Sequence, residues 1–366
     1  KKIIRSFSFL NSPVGFQSLL SALSGIQPDE IKIGLEATGI YSENLSVFLR
    51  RKGFNVTTIN PLLLKKHQCA TTLRKTKTDK ADAKGIALFI AEEGFQPALP
   101  VSYHIQELKS LTRARFSFVQ DRSALKNKVK RLVVLLFPEL LEQFSDIFGA
   151  SATALLKQYP SAEKLAACHT DALAALLRKS SRGRFGRAKA AYLKQLAKCS
   201  IGNHSPARVM ELKMLLARID LLSEQIKDYD MQIKIIMDEI NSPILSIPGI
   251  NYRMGSMIIA EIGDFNRFDS PDKILAYAGF SPSTYQSGQL DGAYAHMEKR
   301  GSRYLRYALY NAAKYVCHWD PTFAAYLAKK RAQGKHYNVA LSHAAKKLVR
   351  LIFAMEKSRA AYRLTA

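Results

Sequence analysis

The sequence contains no apolar run long enough to cross a lipid bilayer. A membrane-spanning helix needs about 20 consecutive apolar residues, and the longest apolar stretches here, such as Leu132–Phe137, are far shorter. The chain starts with KKIIRSFSFL, which is basic but lacks the apolar core and small-residue cleavage site of a secretory signal. These absences argue against a helical membrane protein and predict a cytoplasmic one.

Cysteine is scarce as well. The four cysteines lie far apart, and no two of them have the spacing of a CxxC redox motif or of a zinc site. They are Cys69, Cys168, Cys199 and Cys317. We expect reduced thiols with structural roles at most, as is usual in the cytoplasm.

Acidic residues are few compared with basic ones. The chain has 30 Asp and Glu against 55 Lys and Arg, which gives a net charge of +25 over 366 residues. Such an excess predicts a polyanionic partner, most often nucleic acid and less often an anionic membrane surface. The alternative is a diffusely charged surface without such a partner. The length suggests two or three domains, and a hydrophobic content of 47% lets them bury cores.

Strand and helix patterns alternate at the start of the chain. An edge strand is predicted within residues 1–9, and an amphipathic helix follows to about Leu23. Two more strands are predicted at Ile31–Leu35 and Asn55–Ile59, with a helix over Tyr41–Lys52 between them. This alternation is typical of an α/β layer built on a mixed sheet.

Three carboxylates lie where such a sheet can use them. Glu36 follows a predicted strand, and ligands gather at the carboxyl ends of strands in open sheets. Asp79 and Asp82 follow a predicted helix cap at Thr78, and their spacing puts both on one helix face. These oxygens could hold divalent cations, two of which can clamp the attacking and leaving oxygens of a phosphodiester. Alternatively, both aspartates only stabilise a helix start, and Glu36 is solvated.

Two long helices are predicted in the middle of the chain. Apolar residues recur at helical spacing from Leu108 to Leu136, and Pro138 then ends the helix. From Leu212 to Ile240 they alternate three and four residues apart, which is a heptad seam typical of a coiled coil. The two long helices can pair with each other within one chain, the heptad seam of one subunit can pair with that of another, or both pairings can occur.

A polar loop that contains Ser287 precedes a row of arginines. A serine hydroxyl that faces this row can attack a phosphodiester while the arginines stabilise charge on the phosphoryl oxygens. The plain alternative is an ordinary loop serine, because other hydroxyls are equally available and no His–Asp pair beside Ser287 resembles a hydrolase triad. The other hydroxyls are those of Ser281, Ser283, Thr284 and Tyr285.

Nucleic-acid contacts are predicted at four places. Basic residues surround the three acids, and a second basic cluster lies in the glycine-containing segment SSRGRFGRAK. A Pro-Gly turn in SPILSIPGINYRMGS resembles a helix-hairpin-helix, which presents backbone N–H groups to a phosphate. The arginine row after Ser287 is the fourth place; solvated loops and a plain helix corner are the alternatives. The predicted contacts are Lys75, Lys77, Lys80, Arg182, Arg184, Arg187, Gly249, Arg300, Arg303 and Arg306.

The segments GLEATGIY, INP, KTDKADA, IPGI, AEIGD, YAGFSPSTYQSG and KRGSRYLR follow one another along the chain. In this order they resemble the DEDD recombinases of bacterial insertion sequences, which are relatives of the Piv invertase and are guided by a bridge RNA. The resemblance covers essentially the whole chain. It implies a RuvC-like α/β domain of the RNase H type over 1–104 and a helical, coiled-coil region over 105–241 that binds RNA and joins subunits. A mainly helical transposase domain would follow over 242–366.

The resemblance also implies roles for single residues. Glu36, Asp79 and Asp82 match the second, third and fourth acids of a Mg²⁺ site that would hold two ions, and Ser287 matches the family's nucleophilic serine. In the family, the acids of one subunit act with the serine of another, and cleavage leaves a phosphoserine link before strands exchange between donor and target DNA. A structured guide RNA pairs with both DNAs. A dimer or tetramer at the bacterial nucleoid is implied, without a membrane partner.

The first of the family's four acids has no counterpart in this sequence. It is an Asp on a strand before the KIIRSFSF segment, whereas no Asp or Glu precedes Asp29 here. We expect the segment with this Asp to lie outside the sequence or to be missing. A chain without it would still bind RNA and DNA but would be impaired in cleavage.

Two other functions fit the same residues. A RuvC-like, structure-selective nuclease would use water in place of Ser287, and a non-catalytic nucleic-acid-binding protein would need neither the serine nor the acids. The heptad seam and the basic segments fit all three functions. A covalent protein–DNA adduct lost in Ser287→Ala, and activity lost when Asp79 and Asp82 become Asn, would separate them.

Overall fold

The structure is a computed structural model that describes most of the chain. The described residues are 3–36, 41–59, 61–71, 78–92, 103–281, 286–287, 290–291 and 297–363. The fold is mainly helical, with a small parallel sheet of two strands, so the α/β class predicted for the start of the chain is present only in reduced form among these residues. The chain divides into two compact units, residues 1–100 and 101–366, which are described separately below.

The first unit is built around the two parallel strands. Strand β1 pairs with β2 in a register that sets Lys32 opposite Asn55 and Glu36 opposite Ile59. The strands are β1 (Lys32–Glu36) and β2 (Asn55–Ile59), and the helices are α1 (Pro13–Ala22), α2 (Tyr41–Arg51), α3 (Pro61–Thr71) and α4 (Asp79–Glu92). Since α2 connects the two strands, they form the strand–helix–strand unit that parallel pairing requires.

Local sequence explains where these elements start and how they pack. Ser12 caps α1 by accepting a hydrogen bond from the backbone N–H of Gly15, and Pro13 takes the first helical position. The sheet buries Val56 against α2, where Leu49 is almost fully buried. Helix α4 packs on β1 at Gly34, because a Cβ there would collide with the side chain of Ile90.

The edge strand predicted within residues 1–9 is wrong for the described part, residues 3–9. This segment is extended but has no strand partner among the described residues. Its apolar side chains do not face a core: Ile4 is 98% exposed, and Leu10 is also exposed. An alternating pattern forms a strand only where a neighbouring strand accepts its hydrogen bonds, and here the described sheet consists of β1 and β2 alone.

The second unit is helical apart from one short hairpin. Its described helices are α5 (Tyr103–Leu136), α6 (Ala150–Gln158), α7 (Ala162–Ala167), α8 (Thr170–Ser180), α9 (Arg187–Lys198), α10 (Pro206–Ile240), α11 (Tyr252–Ile262), α12 (Pro271–Ala278), α13 (Arg303–Trp319), α14 (Pro321–Ala332) and α15 (Tyr337–Ser358). The hairpin strands are β3 (Gln286–Ser287) and β4 (Leu290–Asp291). The predicted boundary at residues 241/242 lies within this unit and stays a prediction.

The two long helices pair with each other in antiparallel fashion. Arg115 of α5 forms an ion pair with Asp230 of α10 (Nε–Oδ1 2.6 Å), and Arg122, two turns further along α5, reaches Ser223 (3.1 Å). The heptad positions of α10 are buried in this pairing, as Ile226 illustrates. The intramolecular hairpin is therefore present; pairing of the seam between subunits stays a prediction.

Two hydrophobic cores lie at opposite ends of this helical pair. One core contains α6–α9 with the end of α5 and the start of α10, including Leu132 and Leu212. The other surrounds α11, which is buried along most of its length, and includes Ile258, Leu309 and Leu348. The long helices thus connect two packed ends of one unit.

The predicted helix-hairpin-helix differs from the structure in its first half. The segment before Pro248 is a short 3₁₀ turn, Pro243–Ser246, because Asn241 adopts a left-handed conformation that ends α10 and leaves few residues for another helix. The second helix is α11. Its first N–H groups are capped by the side chain of Asn251.

Among the described residues, the search for a helix long and apolar enough to cross a membrane finds none. The four cysteines are unpaired thiols, two of them buried (Cys168 and Cys317). Burial raises the pKa of Cys317 to about 11, so this thiol stays protonated at neutral pH.

Candidate active site

The three predicted acids lie on two packed elements of the first unit. Glu36 is the last residue of β1, and Asp79 and Asp82 lie in the first turn of α4, which packs on β1. The predicted cap at Thr78 is confirmed: its hydroxyl accepts a hydrogen bond from the backbone N–H of Ala81 (3.2 Å). Helix α4 contacts β1 through Ile86 and Ile90, which lie against Gly34 in the middle of the strand.

Helix α3 contributes a partner for one of the acids. The amide of Gln68 donates to Oδ1 of Asp82 at 3.4 Å. Gly85, one turn along α4, leaves room for this side chain, because a Cβ there would lie 2.6 Å from the Gln68 amide nitrogen. The sequence reasoning missed Gln68, since nothing in a single sequence pairs α3 with α4.

The carboxylate oxygens of these acids are suitable ligands for a hard cation, but their arrangement in the structure does not form a metal site. Carboxylate oxygens are the ligands that Mg²⁺ prefers. Across the residues that the structure describes, no three His, Cys, Asp or Glu side chains come together closely enough to hold a metal ion. The Mg²⁺ site at Glu36, Asp79 and Asp82 accordingly stays a prediction. Of the neighbouring lysines, Lys80 is exposed on α4, while Lys75 and Lys77 lie outside the described residues.

Ser287 lies in the β3–β4 hairpin, where it is opposite Leu290. The two chain segments that lead into and out of this region are joined by three backbone hydrogen bonds. The N–H groups of Glu298, Lys299 and Ser302 donate to the carbonyls of Ser281, Gly279 and Tyr277, at 3.0, 3.2 and 3.0 Å. Ser287 thus belongs to the stretch of chain between these two joined segments, residues 282–296, which we call the serine segment. We call residues 277–281 and 298–302 the base of the serine segment.

Two glycines allow this close approach of the chain to itself. Gly279 has φ +71°, and a Cβ on it would lie 2.7 Å from the carbonyl oxygen of Arg300. Gly301 has φ +128°, and a Cβ there would collide with the carbonyl of Tyr277. Side chains other than hydrogen are excluded at both positions, which explains the glycines of YAGF and KRGS.

The three arginines that follow the serine segment differ in their contacts. Arg306 donates through Nη1 to the carbonyls of Ala278 (3.0 Å) and Lys299 (3.2 Å), so it holds the base of the serine segment together. Arg303 is exposed and lies over the ring of Tyr304. Arg300 is exposed as well. Arg300 and Arg303 are available to nucleic acid, whereas the guanidinium of Arg306 already has structural partners.

A buried glutamate ties this base to α5. Glu261 of α11 is 1% exposed and accepts two hydrogen bonds from Arg113 (2.6 and 3.0 Å) and one from the hydroxyl of Ser302 (2.7 Å). Ser302 is also the N-cap of α13. Burial by itself would raise the pKa of Glu261, but the hydrogen bonds from Arg113 and Ser302 hold this pKa below its ordinary value. Sequence reasoning missed this group, although an acid within an apolar helical run signals a buried partner.

The other predicted contacts are in two places of the second unit. Arg182, with φ +54°, and Gly183 make the turn between α8 and α9. Arg184 lies over the ring of Phe185, and Arg187 pairs with Asp171 at 3.4 Å.

Gly249 makes a close packing contact. A Cβ on this residue would lie 2.7 Å from the backbone of Tyr315 in α13, so the missing side chain is explained by contact between two segments of the protein. A nucleic-acid contact through its backbone stays a prediction.

Two family models match the chain. Residues 1–138 match the transposase model of the DEDD type from IS110 elements, and residues 241–328 match the transposase model of the IS116/IS110/IS902 family. The chain belongs to the IS110-type DEDD transposases. It is accordingly a DNA transposase, an enzyme of the kind the sequence motifs predicted.

Relatives from several insertion elements align over long parts of this transposase. A 44.8 kDa protein of insertion element IS116 from Streptomyces clavuligerus is 25% identical over 90% of the chain and 84% of its own length. A 42 kDa protein of IS900 from Mycobacterium paratuberculosis is 27% identical over 77% of the chain and 73% of its own length. The transposase for insertion sequence element IS1111A from Coxiella burnetii is 21% identical over 66% of the chain and 55% of its own length.

Proposed function

We propose that this transposase is an RNA-guided, Mg²⁺-dependent DNA recombinase that cleaves and exchanges strands through a covalent link to Ser287. The observation that carries the proposal is the fixed base of the serine segment. Three backbone hydrogen bonds, two obligatory glycines and Arg306 hold together the two chain segments between which Ser287 lies in the sequence. A fold that restrains both ends of a short polar segment limits the positions of its hydroxyls, as nucleophilic catalysis requires.

In the proposed cleavage step, the oxygen Oγ of Ser287 attacks the phosphorus of a DNA phosphodiester. A bond forms between Oγ and phosphorus, and the bond from phosphorus to one deoxyribose oxygen breaks. The serine proton leaves to a base, and the released sugar hydroxyl takes up a proton. When a hydroxyl of the other DNA attacks the phosphoserine, the reverse step restores the serine and joins the new strand. Arg300 and Arg303 stabilise the charge on the phosphoryl oxygens.

The acids of the first unit are proposed to serve the same reaction, with the acids of one subunit acting on DNA attached to the serine of another. Glu36, Asp79 and Asp82 would supply the oxygen ligands, and Gln68 orients the carboxylate of Asp82. Bound Mg²⁺ would neutralise charge on the scissile phosphate. The packing of α4 on β1 supports this assignment, because it places the helix that carries Asp79 and Asp82 against the strand that ends at Glu36.

RNA contact is proposed at the turn between α8 and α9. Arg182 and Arg184 form no ion pair within the described part of the chain, and Arg184 lies on Phe185, an aromatic ring on which a base can stack. The guide RNA would supply sequence specificity by base pairing with donor and target DNA. Lys75, Lys77, Lys80 and the backbone at Gly249 are proposed as further backbone contacts.

Assembly into a dimer, and from it a tetramer, is proposed through the outer face of α10. Large apolar side chains on this helix are more than half exposed: Met210, Met214, Leu221, Met231 and Ile235. They follow a heptad spacing on one side of the helix, which is the pattern of a helix that pairs with another. A second copy of α10 would cover them.

The experiment that tests the proposal is the capture of the protein on DNA after denaturation. The protein is produced from its complete reading frame, so that the first acid is present if the gene encodes it, and is incubated with guide RNA, Mg²⁺ and labelled donor DNA. The labelled protein band is then measured under denaturing conditions. We expect a covalent band that Ser287→Ala abolishes and that the matched control Ser281→Ala retains. Cleavage without any covalent band would favour a nuclease that uses water, and binding without cleavage would favour a non-catalytic binding protein.

A further inference from the structure

The last two helices of the chain carry a large part of its positive charge. From Pro321 to the end, the sequence has ten Lys and Arg but a single acid, Glu356. Two of these cations have acidic partners: Arg350 pairs with Asp272, and Arg359 pairs with Glu356. Six others are clustered where α14 ends and α15 lies beside it, namely Lys329, Lys330, Arg331, Lys335, Lys346 and Lys347.

We call these six cations the α14–α15 basic surface. In the part of the chain that the structure describes, none of the six forms an ion pair. Their stems are held in place by aromatic rings: the ammonium groups of Lys330 and Lys347 lie 5.5 and 5.0 Å from the ring centre of Tyr326. The surface is therefore both charged and partly ordered.

His343, a half-buried residue of α15, lies near these lysines. Its pKa is lowered by burial first, and then by the charges of Lys330 on α14, Lys335 in the connecting turn and Lys346 on its own helix. Three lysines from three successive segments therefore act on one imidazole. They converge on a single place and are not spread over separate faces.

Stabilisation of the fold does not explain all six cations of the α14–α15 basic surface. Basic residues in the last turn of a helix interact favourably with its dipole, and this covers Lys329, Lys330 and Arg331 of α14. Lys346 and Lys347 are in the middle of α15, where the dipole has no such effect. Like charges this close repel one another, so their convergence costs stability unless an anion neutralises them.

We propose that the α14–α15 basic surface binds the phosphodiester backbone of a nucleic acid. Closely spaced lysines with no acids among them neutralise successive phosphates, and this contact is independent of base sequence. The surface is additional to the contacts proposed above, and it does not depend on the chemistry of Ser287. DNA and RNA share the phosphodiester chemistry, and the experiment distinguishes them.

The test compares two triple variants of the full chain. Lys330→Gln, Lys335→Gln and Lys346→Gln together remove the lysines around His343. The control replaces Lys157, Lys234 and Lys273 by Gln, which removes the same charge from lysines already paired with Asp220, Asp238 and Asp269. Affinity for a fluorescent DNA duplex of random sequence and for a fluorescent RNA hairpin is measured by anisotropy over a series of salt concentrations.

We expect the first variant to lower the slope of log affinity against log salt by about 3 on the nucleic acid that occupies the surface. The control variant leaves the slope nearly unchanged. A smaller slope on the duplex alone identifies DNA, and a smaller slope on the hairpin alone identifies RNA. Unchanged slopes for both probes, or an equal loss in the control variant, would overturn the proposal. Thermal unfolding of both variants checks that they are folded.

A second readout uses His343 in the unaltered protein. Phosphates at the surface would offset the charges of the three lysines, so the pKa of His343 must rise when the probe binds. A histidine NMR titration measures this pKa with and without the probe, and the resonance is assigned with His343→Gln. A pKa that does not move when the probe is bound would overturn the proposal even if the affinity data agreed with it.

Discussion

Removal of Arg113 is predicted to destabilise the second unit more than removal of a comparable arginine two residues away. The carboxylate of Glu261 is 1% exposed and accepts three hydrogen bonds, two of them from Arg113. In Arg113→Met, the buried carboxylate keeps only the hydrogen bond from Ser302 and the more distant charge of Lys109. Breaking a buried ion pair from one side costs about 3–5 kcal/mol. We expect the lower end of this range, because the side chain of Arg113 is 42% exposed and water can reach the gap.

Arg115→Met is the matched control. Arg115 is more buried than Arg113 and forms an equally short ion pair, with Asp230. However, Asp230 also accepts a hydrogen bond from Arg253 (3.1 Å), so it keeps a cationic partner when Arg115 is removed. We expect a loss of about 1 kcal/mol in the free energy of unfolding, the size of an ordinary hydrogen-bond loss.

The pH dependence supplies a second test of the same reasoning. In the unaltered protein the pKa of Glu261 lies below its ordinary value of 4.5, so its contribution to stability is present above that pH and is lost as pH falls through the folded-state pKa. In Arg113→Met, burial dominates and raises the pKa, so protonation relieves the penalty as pH falls. The difference in unfolding free energy between the two proteins is therefore largest near neutral pH and smaller in acid.

Urea unfolding followed by circular dichroism measures all three proteins at neutral and at mildly acidic pH. The reasoning would be refuted if Arg113→Met were no less stable than Arg115→Met, or if its deficit were the same at both pH values.

Three further predictions follow from contacts in the second unit and from the acids of the first. Arg306→Met should lower the free energy of unfolding by about 1.5–3 kcal/mol in urea unfolding, because a charged donor to two carbonyls is lost. Arg303→Met, on the exposed side of the same helix, should change the free energy of unfolding by no more than about 0.5 kcal/mol. Gly249→Ala should lower the melting temperature more than Gly183→Ala. Both glycines have a positive φ, but of the two only Gly249 has backbone atoms 2.7 Å from the position of an added Cβ. Equal decreases in melting temperature would contradict the packing role of Gly249. Asp79→Asn with Asp82→Asn should abolish Mg²⁺-dependent cleavage while circular dichroism and DNA affinity stay unchanged, and retained cleavage would contradict the proposed roles of both acids.

Local patterns in the sequence predicted much of the fold. The cap at Thr78 and the strands at residues 31–35 and 55–59 follow from the spacing and chemistry of neighbouring residues, and the structure confirms them within one residue or so. The long helix over the heptad seam is present as α10, whereas the coiled coil stays a prediction. The strand predicted over residues 1–9 was wrong because alternation does not reveal whether a partner strand exists. The first helix of the Pro-Gly corner was also wrong, because Asn241 ends α10 in a left-handed conformation and the residues before Pro248 form only a 3₁₀ turn.

The candidate site was only partly readable from sequence. The motifs named the acids and Ser287, because these residues stand in short, recognisable segments. The contacts that support them join residues far apart in the chain: Gln68 with Asp82, Arg113 with Glu261, and Arg306 with the base of the serine segment. Such pairings depend on how helices pack, and no local pattern encodes them. For this reason Arg306 was predicted as a DNA contact although its guanidinium has structural partners.

The most direct test of the account is to locate the residue that becomes attached to DNA. The covalent complex is trapped with donor DNA, guide RNA and Mg²⁺ and digested with protease and nuclease, and the peptide that carries the residual nucleotide is sequenced by mass spectrometry. We predict a nucleotide on Ser287 and on no other hydroxyl of the segment. Attachment at Ser283, Thr284 or Tyr285, or cleaved DNA without any modified peptide, would contradict the central claim that Ser287 is the nucleophile of this transposase.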